Sequence, residues 1–210
     1  MIAIIDSGIA NLRSVQKGFE RVGADARIVD DPGTLRDAFG IVLPGVGAFA
    51  DGIGKLQDGG FVEPLLRAIE AGKPVLGICL GLHFLFSESE EFGHHAGLNI
   101  IKGRVVRFTN AAVVAAREPP LLKIPHMGWN RIRIERQAPI FKDIPDGAFF
   151  YFVHSYFVQP EDERVIAATT EYGRRFTSAL WRENLFACQF HPEKSQVLGL
   201  QLLRNFASLT

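Results

Sequence analysis

The chain has 210 residues, of which 47% are hydrophobic and 22% charged, a globular composition too apolar for an intrinsically disordered protein. Its 23 basic and 23 acidic side chains cancel, so no cationic excess exists to drive phosphate-backbone binding by counterion release, and nucleic acid is disfavoured as a partner. At this length roughly 70% of the unfolded chain's surface can be buried without disulfides or metals as staples, and a single domain over 1–210 is expected.

The first residues, Met1 to Gly8, lack a basic region and meet Asp6 early, which predicts a buried strand rather than a secretory signal. Further strands are predicted over 26–30, 41–43 and 74–79, each a short apolar run ending at Gly, Asp or Pro. Asn11 is placed to cap a helix over 11–22, in which Leu12, Val15, Phe19 and Val22 recur at helical spacing. A second helix is predicted over 61–71, stopped by Gly72. Strands alternating with helices imply an α/β fold with a parallel sheet, ligands binding at the carboxyl ends of its strands.

The second half reads mainly as strands, over 104–108, 131–135, 149–153, 165–170, 177–181 and 185–189, which suggests antiparallel additions to the sheet. Residues 110–122 fit no clean period and are expected to form a variable loop. A closing helix over 196–209 places Leu200, Leu203 and Phe206 on one side. The longest uncharged stretch of interest, 74–87, is shorter than the ~18 apolar residues of a membrane span and is broken by Gly77, Gly81 and His83, so no membrane is expected. A reducing cytoplasm is the expected setting, in which Cys79 and Cys188 remain two thiols.

Three segments carry chemistry. Gly77-Ile78-Cys79-Leu80-Gly81 closes an apolar strand and opens a run, 82–86, that can be helical; this is the nucleophile-elbow pattern with Cys in the nucleophile's place. A helix start beneath a thiol favours the thiolate. Alone, the pattern only slightly outweighs an inert core cysteine. In Gln189-Phe190-His191-Pro192-Glu193, an extended chain puts Gln189, His191 and Glu193 on one side, a base with its own carboxylate, and Cys188 and Phe190 on the other. Alone, this segment reads as a surface turn. Leu43-Pro44-Gly45-Val46-Gly47-Ala48-Phe49 also follows a strand, and its two glycines allow backbone N–H groups to face a strand-end cleft as an oxyanion hole. If their strands are parallel, all three segments lie at one end of the sheet and form an acyl-transfer site.

These segments, with Asn11-Leu12-Arg13-Ser14, Pro125-His126-Met127-Gly128-Trp129-Asn130, Tyr151-Phe152-Val153-His154-Ser155-Tyr156 and His191-Pro192-Glu193-Lys194-Ser195, resemble the class I glutamine amidotransferases. Within that class they resemble most the glutaminase subunits of imidazole glycerol phosphate synthase in histidine biosynthesis. The resemblance implies a three-layer sandwich with a mostly parallel central sheet. It also implies a triad of Cys79, His191 and Glu193 that hydrolyses glutamine to glutamate and ammonia through a thioester. Oxyanion and substrate contacts would fall on Gly45, Val46, Gly47, Leu80, His83, Ser155 and Tyr156. Ammonia would pass through a channel to a (β/α)₈ cyclase partner in a heterodimer, with Asn11, Ser14, Trp129, His154 and Lys194 at the interface. A (β/α)₈ barrel typically takes ~250 residues, so the partner is expected to be a second chain. Other readings are an amidotransferase subunit for another synthase, as in surface-sugar biosynthesis, an independent cysteine hydrolase, and a silent interaction subunit.

The sequence departs from the family pattern at four places. His83 stands where the class usually has a glutamine-contacting Gln; at i+4 it shares a helical face with Cys79, and a tolerated polar replacement is the blander explanation. Ser7 replaces a usual Tyr and Ala10 a common Gly. Cys188 replaces an aliphatic residue and is expected to be an inert core thiol. His94 and His95 are expected to be solvated loop residues and His126 a structural hydrogen-bonding group. No metal and no cofactor is expected.

Overall fold

In the computed structural model, which describes residues 1–6, 11–108 and 122–210, the predicted alternation becomes a parallel sheet with helices on both faces. Strand β1 (Ile2–Ile5) leads through helix α1 (Leu12–Arg21) to β2 (Ala26–Val29), and a 3₁₀ turn (Pro32–Arg36) leads to β3 (Gly40–Gly45). Helices α2 (Phe49–Asp58) and α3 (Val62–Glu70) precede β4 (Val75–Cys79), followed at once by the short α4 (Leu80–Phe84). The remaining strands are β5 (Phe86–Ser89), β6 (His95–Ala96), β7 (Ile101–Arg107), β8 (His126–Arg131), β9 (Arg133–Ile134), β10 (Phe149–His154), β11 (Tyr156–Pro160), β12 (Ile166–Glu171), β13 (Arg175–Arg182) and β14 (Leu185–Cys188). Helix α5 (Gln196–Ala207) closes the chain.

The main sheet runs β2-β1-β3-β4-β14-β13-β11-β7-β5-β6, and β12 pairs with β13 and with β9. Pairing is parallel from β2 through β14; β13, β11 and β12 then add antiparallel. Strands buried on both faces need apolar residues at every position, which is why β1, β3 and β4 read as continuous runs. Their alternate side chains divide the core in two. Ile2, Ile4, Val42, Leu76 and Ile78 pack with Val15 and Phe19 of α1 and Leu203 and Phe206 of α5. Ala3, Ile5, Ile41, Leu43 and Val75 pack with Phe49, Leu65 and Phe84 of α2, α3 and α4. The result is the expected three-layer sandwich, with a parallel core and antiparallel additions.

Several local expectations are corrected. Helix α2 was not foreseen: Phe49, Gly52, Ile53 and Leu56 form its buried stripe, but Gly52 and Gly54 weaken the helical signal. The helix after Cys79 spans Leu80–Phe84 rather than 82–86, because Phe86 already begins β5. Segment 131–135 is not one strand; it divides between the end of β8 and the short β9. Strand β11 was also missed. Asn11 stands at the N-cap of α1, yet its side chain makes no capping bond. In α5 the buried face carries Gly199, Leu202, Leu203 and Phe206, whereas Leu200 is only half-buried. His95 lies in β6 and is half-buried, not in a solvated loop. Ser7, Ala10 and nearly all of the expected variable loop lie outside the described residues. Among the described residues no helix is long and apolar enough to cross a membrane.

Candidate active site

Parallel register brings the three chemical segments together. Gly45 at the end of β3 pairs with Cys79 at the end of β4, and Cys188 of β14 pairs with Ile78, so the loop after β3, the turn after β4 and the extension of β14 open at one sheet edge.

Cys79 sits on the strand-to-helix turn with φ 55 and ψ −108, a left-handed conformation costing a non-glycine residue roughly 1–3 kcal/mol. Neighbouring glycines make this turn possible by letting α4 lie close to the sheet. A Cβ on Gly81 would stand 1.8 Å from the Leu43 carbonyl oxygen; one on Gly45 would stand 2.9 Å from Leu80 Cβ, and one on Gly77 3.1 Å from the Gly81 backbone. Gly45 therefore admits the helix and does not itself line the cleft. Gly47, at φ +93, shapes the loop that does.

His191 is held by its backbone. Its N–H donates to the Tyr151 carbonyl at 2.9 Å, and its carbonyl accepts from Ser195 Oγ, which in turn accepts from the Tyr151 N–H at 3.0 Å. Beyond it the chain is not extended: Pro192–Lys194 form a 3₁₀ turn, and that turn returns Glu193 to the ring. Nδ1–H donates to Glu193 Oε1 at 2.8 Å, with both side chains almost wholly buried. Nε2 is buried without a regular hydrogen bond and is left to the Cys79 sulfur. Burial pulls the His191 pKa down, but the hydrogen bonds and negative charges of Cys79 and Glu193 outweigh it and raise the value to about 10. The arrangement suits a thiolate-imidazolium pair.

Cys188 behaves as the sequence suggests. It is fully buried, donates to the Phe190 carbonyl at 3.4 Å, and burial, followed by the nearby Glu193 and Cys79 charges, pushes its pKa well up. Both cysteines are free.

A cleft of about 360 Å³ opens over Cys79 and is lined by Val46, Gly47, Leu80, His83, Ser155, Tyr156 and His191, which unites the expected contact residues except Gly45. Glu91, Phe92 and Arg107 also line it and were not anticipated. Glu91 is drawn in by a bond that sequence spacing conceals: its carboxylate accepts from the Phe49 N–H at 2.8 Å, at the start of α2. Burial, only partly offset by that bond, raises its pKa. A larger groove of about 670 Å³ between the 3₁₀ turn and α3 has no cysteine, serine or histidine among its described lining residues, and Lys73 there donates to the Leu35 and Ala38 carbonyls.

The expected interface residues divide. On the β8–β10 pair the side chains of Met127, Trp129 and Phe149 are exposed, and Lys194 lies 5.8 Å over the Tyr151 ring. Asn11 is exposed and Ser14 half-buried on α1. His154 is the correction. Strand alternation turns it inward with Phe150 and Phe152, so it is buried and lines the cleft instead of the outer face.

His154 and His126 form a directed relay. His154 Nδ1–H donates to the Tyr156 carbonyl at 2.7 Å, which leaves its Nε2 to accept from His126 Nδ1–H at 2.9 Å. His126 Nε2 then accepts from Asn130 Nδ2 at 3.2 Å. Every step requires neutral rings. Burial lowers the His126 pKa to about 4; burial and the neighbouring His126 hold His154 well below the usual histidine range. His83 is likewise pulled to about 4 by burial, against the Gln189 bond. Because the unfolded chain takes up these protons near pH 6.5 and the folded chain does not, stability is present above that pH and is lost as pH falls from about 6.5 towards 4. Urea denaturation at pH 7.5 and pH 4.5 is expected to differ by several kcal/mol on the order-of-magnitude linkage scale, and a flat profile would contradict the neutral relay. His191 has the opposite sign: its contribution is complete below about 6.5 and is lost as pH rises through about 10.

The chain matches known proteins over nearly its whole length. The pattern of the family described as glutamine amidotransferase class-I matches residues 3–208. The chain is 60% identical over 209 residues to the imidazole glycerol phosphate synthase subunit HisH of Syntrophotalea carbinolica, covering 100% of both. It is 54% identical to the protein of that name from Geobacter sulfurreducens, covering 99% of this chain and 98% of the relative. Solved structures share the fold at low identity. A glutamine amidotransferase aligns with a TM-score of 0.74 at 16% identity, covering 99% and 97% of the two chains. The glutaminase domain of Trypanosoma brucei CTPS, solved with bound acivicin, aligns with a TM-score of 0.66 at 19% identity, covering 99% and 93%. The chain belongs to the class I glutamine amidotransferase family.

Proposed function

We propose that the protein is the glutaminase subunit of an imidazole glycerol phosphate synthase in histidine biosynthesis, a single amidotransferase domain over residues 1–210 working in the cytoplasm with a (β/α)₈ cyclase. The observation that carries the reading is the strained Cys79 turn at the same sheet edge as the buried His191–Glu193 pair. Near-full-length identity with proteins of that name supports the pathway and the kind of partner.

In this reading the Cys79 thiolate attacks the side-chain amide carbon of glutamine. The His191 imidazolium, stabilised by Glu193, gives its Nε2 proton to the departing nitrogen, and ammonia leaves a γ-glutamyl thioester. His191 then takes a proton from water, which attacks the thioester, releases glutamate and restores the thiolate. Val46, Gly47 and Leu80 line the cleft, and their backbone N–H groups are the proposed donors to the oxyanion. Glu91 and Arg107 offer opposite charges to the α-ammonium and α-carboxylate of an amino-acid substrate, with Ser155 and Tyr156 completing the cleft wall. The exposed Met127, Trp129 and Phe149 face, flanked by Lys194 and with Asn11 and Ser14 of α1, is the proposed cyclase-docking surface.

His83→Gln is expected to lower the glutamine KM a few-fold, the scale of one added hydrogen bond, with kcat little changed. An unchanged KM would remove His83 from the substrate contacts. The function itself is tested by measuring glutamine hydrolysis alone and with a purified (β/α)₈ cyclase plus its ribonucleotide substrate. Stimulation that disappears in Cys79→Ala supports the proposal. Strong peptidase activity independent of the cyclase contradicts it.

A further inference from the structure

A buried thiolate needs more than one compensating group, since removing an anion from water costs several kcal/mol even beside a countercharge. The structure offers a second group that the triad does not use. Parallel pairing of β14 with β4 carries Gln189 alongside Cys79, and the Gln189 side chain is fully buried there. Its Nε2 lies 3.9 Å from Cys79 Sγ, and its Oε1 lies 2.8 Å from His83 Nε2. His83 is one helical turn beyond Cys79 on α4, so Gln189, just past the end of β14, bridges two residues of the same strand-to-helix turn.

The orientation of the Gln189 amide follows from electrostatics. A neutral His83 could donate Nε2–H to the amide oxygen, or accept from the amide nitrogen. The second arrangement would turn the amide oxygen towards the sulfur, lone pairs against a forming anion. The first turns N–H towards it, a charge-assisted hydrogen bond that shortens as the sulfur ionises. Burial lowers the pKa of His83 to about 4, so the ring carries one proton at neutral pH, and the Oε1 contact places that proton on Nε2. The Gln189 backbone N–H is tied to the Ser178 carbonyl at 2.9 Å, which fixes the root of the side chain.

We propose that Gln189, oriented by His83, donates a hydrogen bond to the Cys79 sulfur and stabilises its anionic form alongside His191. This inference rests on the reading of Cys79 as the nucleophile. Gln189 touches the reacting atom; His83 is a positioning residue that acts through it. Among the titratable groups around Cys79, His83 and His154 are neutral and Cys188 is held as a thiol. Among the described residues, the remaining charges there are the His191–Glu193 pair and, on the cleft wall, Glu91 and Arg107. Against that background the amide adds one neutral donor.

The test is the pH profile of Cys79 alkylation by iodoacetamide in the full chain, with the site of reaction confirmed by peptide mass mapping. Gln189→Leu is expected to move the half-maximal pH upward by about one pH unit, as loss of a charge-assisted hydrogen bond implies. The plateau rate at high pH should be kept. His83→Leu should move the profile in the same direction, and His83→Gln, whose amide can donate to the same oxygen, should stay close to the wild type. A Gln189→Leu profile that coincides with the wild type overturns the inference. Should the leucine variants fail to fold, the wild-type protein decides: the Gln189 side-chain amide resonances, followed by NMR, should shift as Cys79 ionises and stay fixed in Cys79→Ala. Fixed resonances in the wild type overturn the inference. An unreactive wild-type Cys79 with no glutamine hydrolysis would instead overturn the nucleophile reading.

Discussion

Cys79→Ala is expected to reduce glutamine hydrolysis by at least about 10⁴-fold, the scale on which nucleophile removal acts in triad enzymes. Alanine leaves no nucleophile at the strained turn where β3, β4 and β14 bring the proposed oxyanion loop, nucleophile and base to a common edge. The effect should not add to that of His191→Ala, because proton transfer without a sulfur to attack has no step to serve; the double variant should be no slower than the slower single variant. Steady-state ammonia release at saturating glutamine, measured with the cyclase present, gives these rates. Additive losses would mean that Cys79 and His191 serve different steps.

Gly81→Ala is expected to destabilise the fold by about 3 kcal/mol or more, a large value for one added methyl group. The new Cβ would lie 1.8 Å from the Leu43 carbonyl oxygen, a backbone atom of a buried central strand that has no direction in which to yield. Helix α4 must therefore lift from the sheet, and the Cys79 turn must move with it. Gly54→Ala makes a useful control: its Cβ would meet nothing within 4 Å, in a helical position where alanine is favoured. Urea midpoints for the two variants check the contrast. A Gly81→Ala midpoint equal to the wild type would mean that α4 is less tightly seated than described.

Most of the parallel half was legible because its strands are buried on both faces and so write continuous apolar runs, as in Ile2–Ile5 and Val75–Cys79. The site was legible for a related reason: each of its chemical groups stands immediately after such a run. Helix α2 was not legible, because Gly52 and Gly54 dilute a stripe that tertiary packing completes. His154, expected at the interface, is buried and lines the cleft, because a motif does not reveal which face of β10 turns inward. That required the β8–β10 register, which places His154 opposite His126. Glu91 was invisible in the sequence, since its place in the cleft wall depends on a hydrogen bond from Phe49, 42 positions away. The contact of Gln189 with Cys79 spans 110 positions and exists only through the parallel pairing of β4 and β14. Alternation did put Gln189 on the side of His191. It could not name His83 as the residue that orients it.

The central claim is that of two buried cysteines only Cys79 is a nucleophile for a glutamine-shaped electrophile. The most direct measurement treats the full chain with an electrophilic glutamine analogue, with and without excess glutamine, and reads the adducts by intact and peptide mass. The account predicts one adduct per chain, on Cys79, suppressed by glutamine, with Cys188 unmodified in its apolar surroundings. Labelling of Cys188 as readily as Cys79, or labelling of Cys79 that glutamine does not suppress, would contradict it.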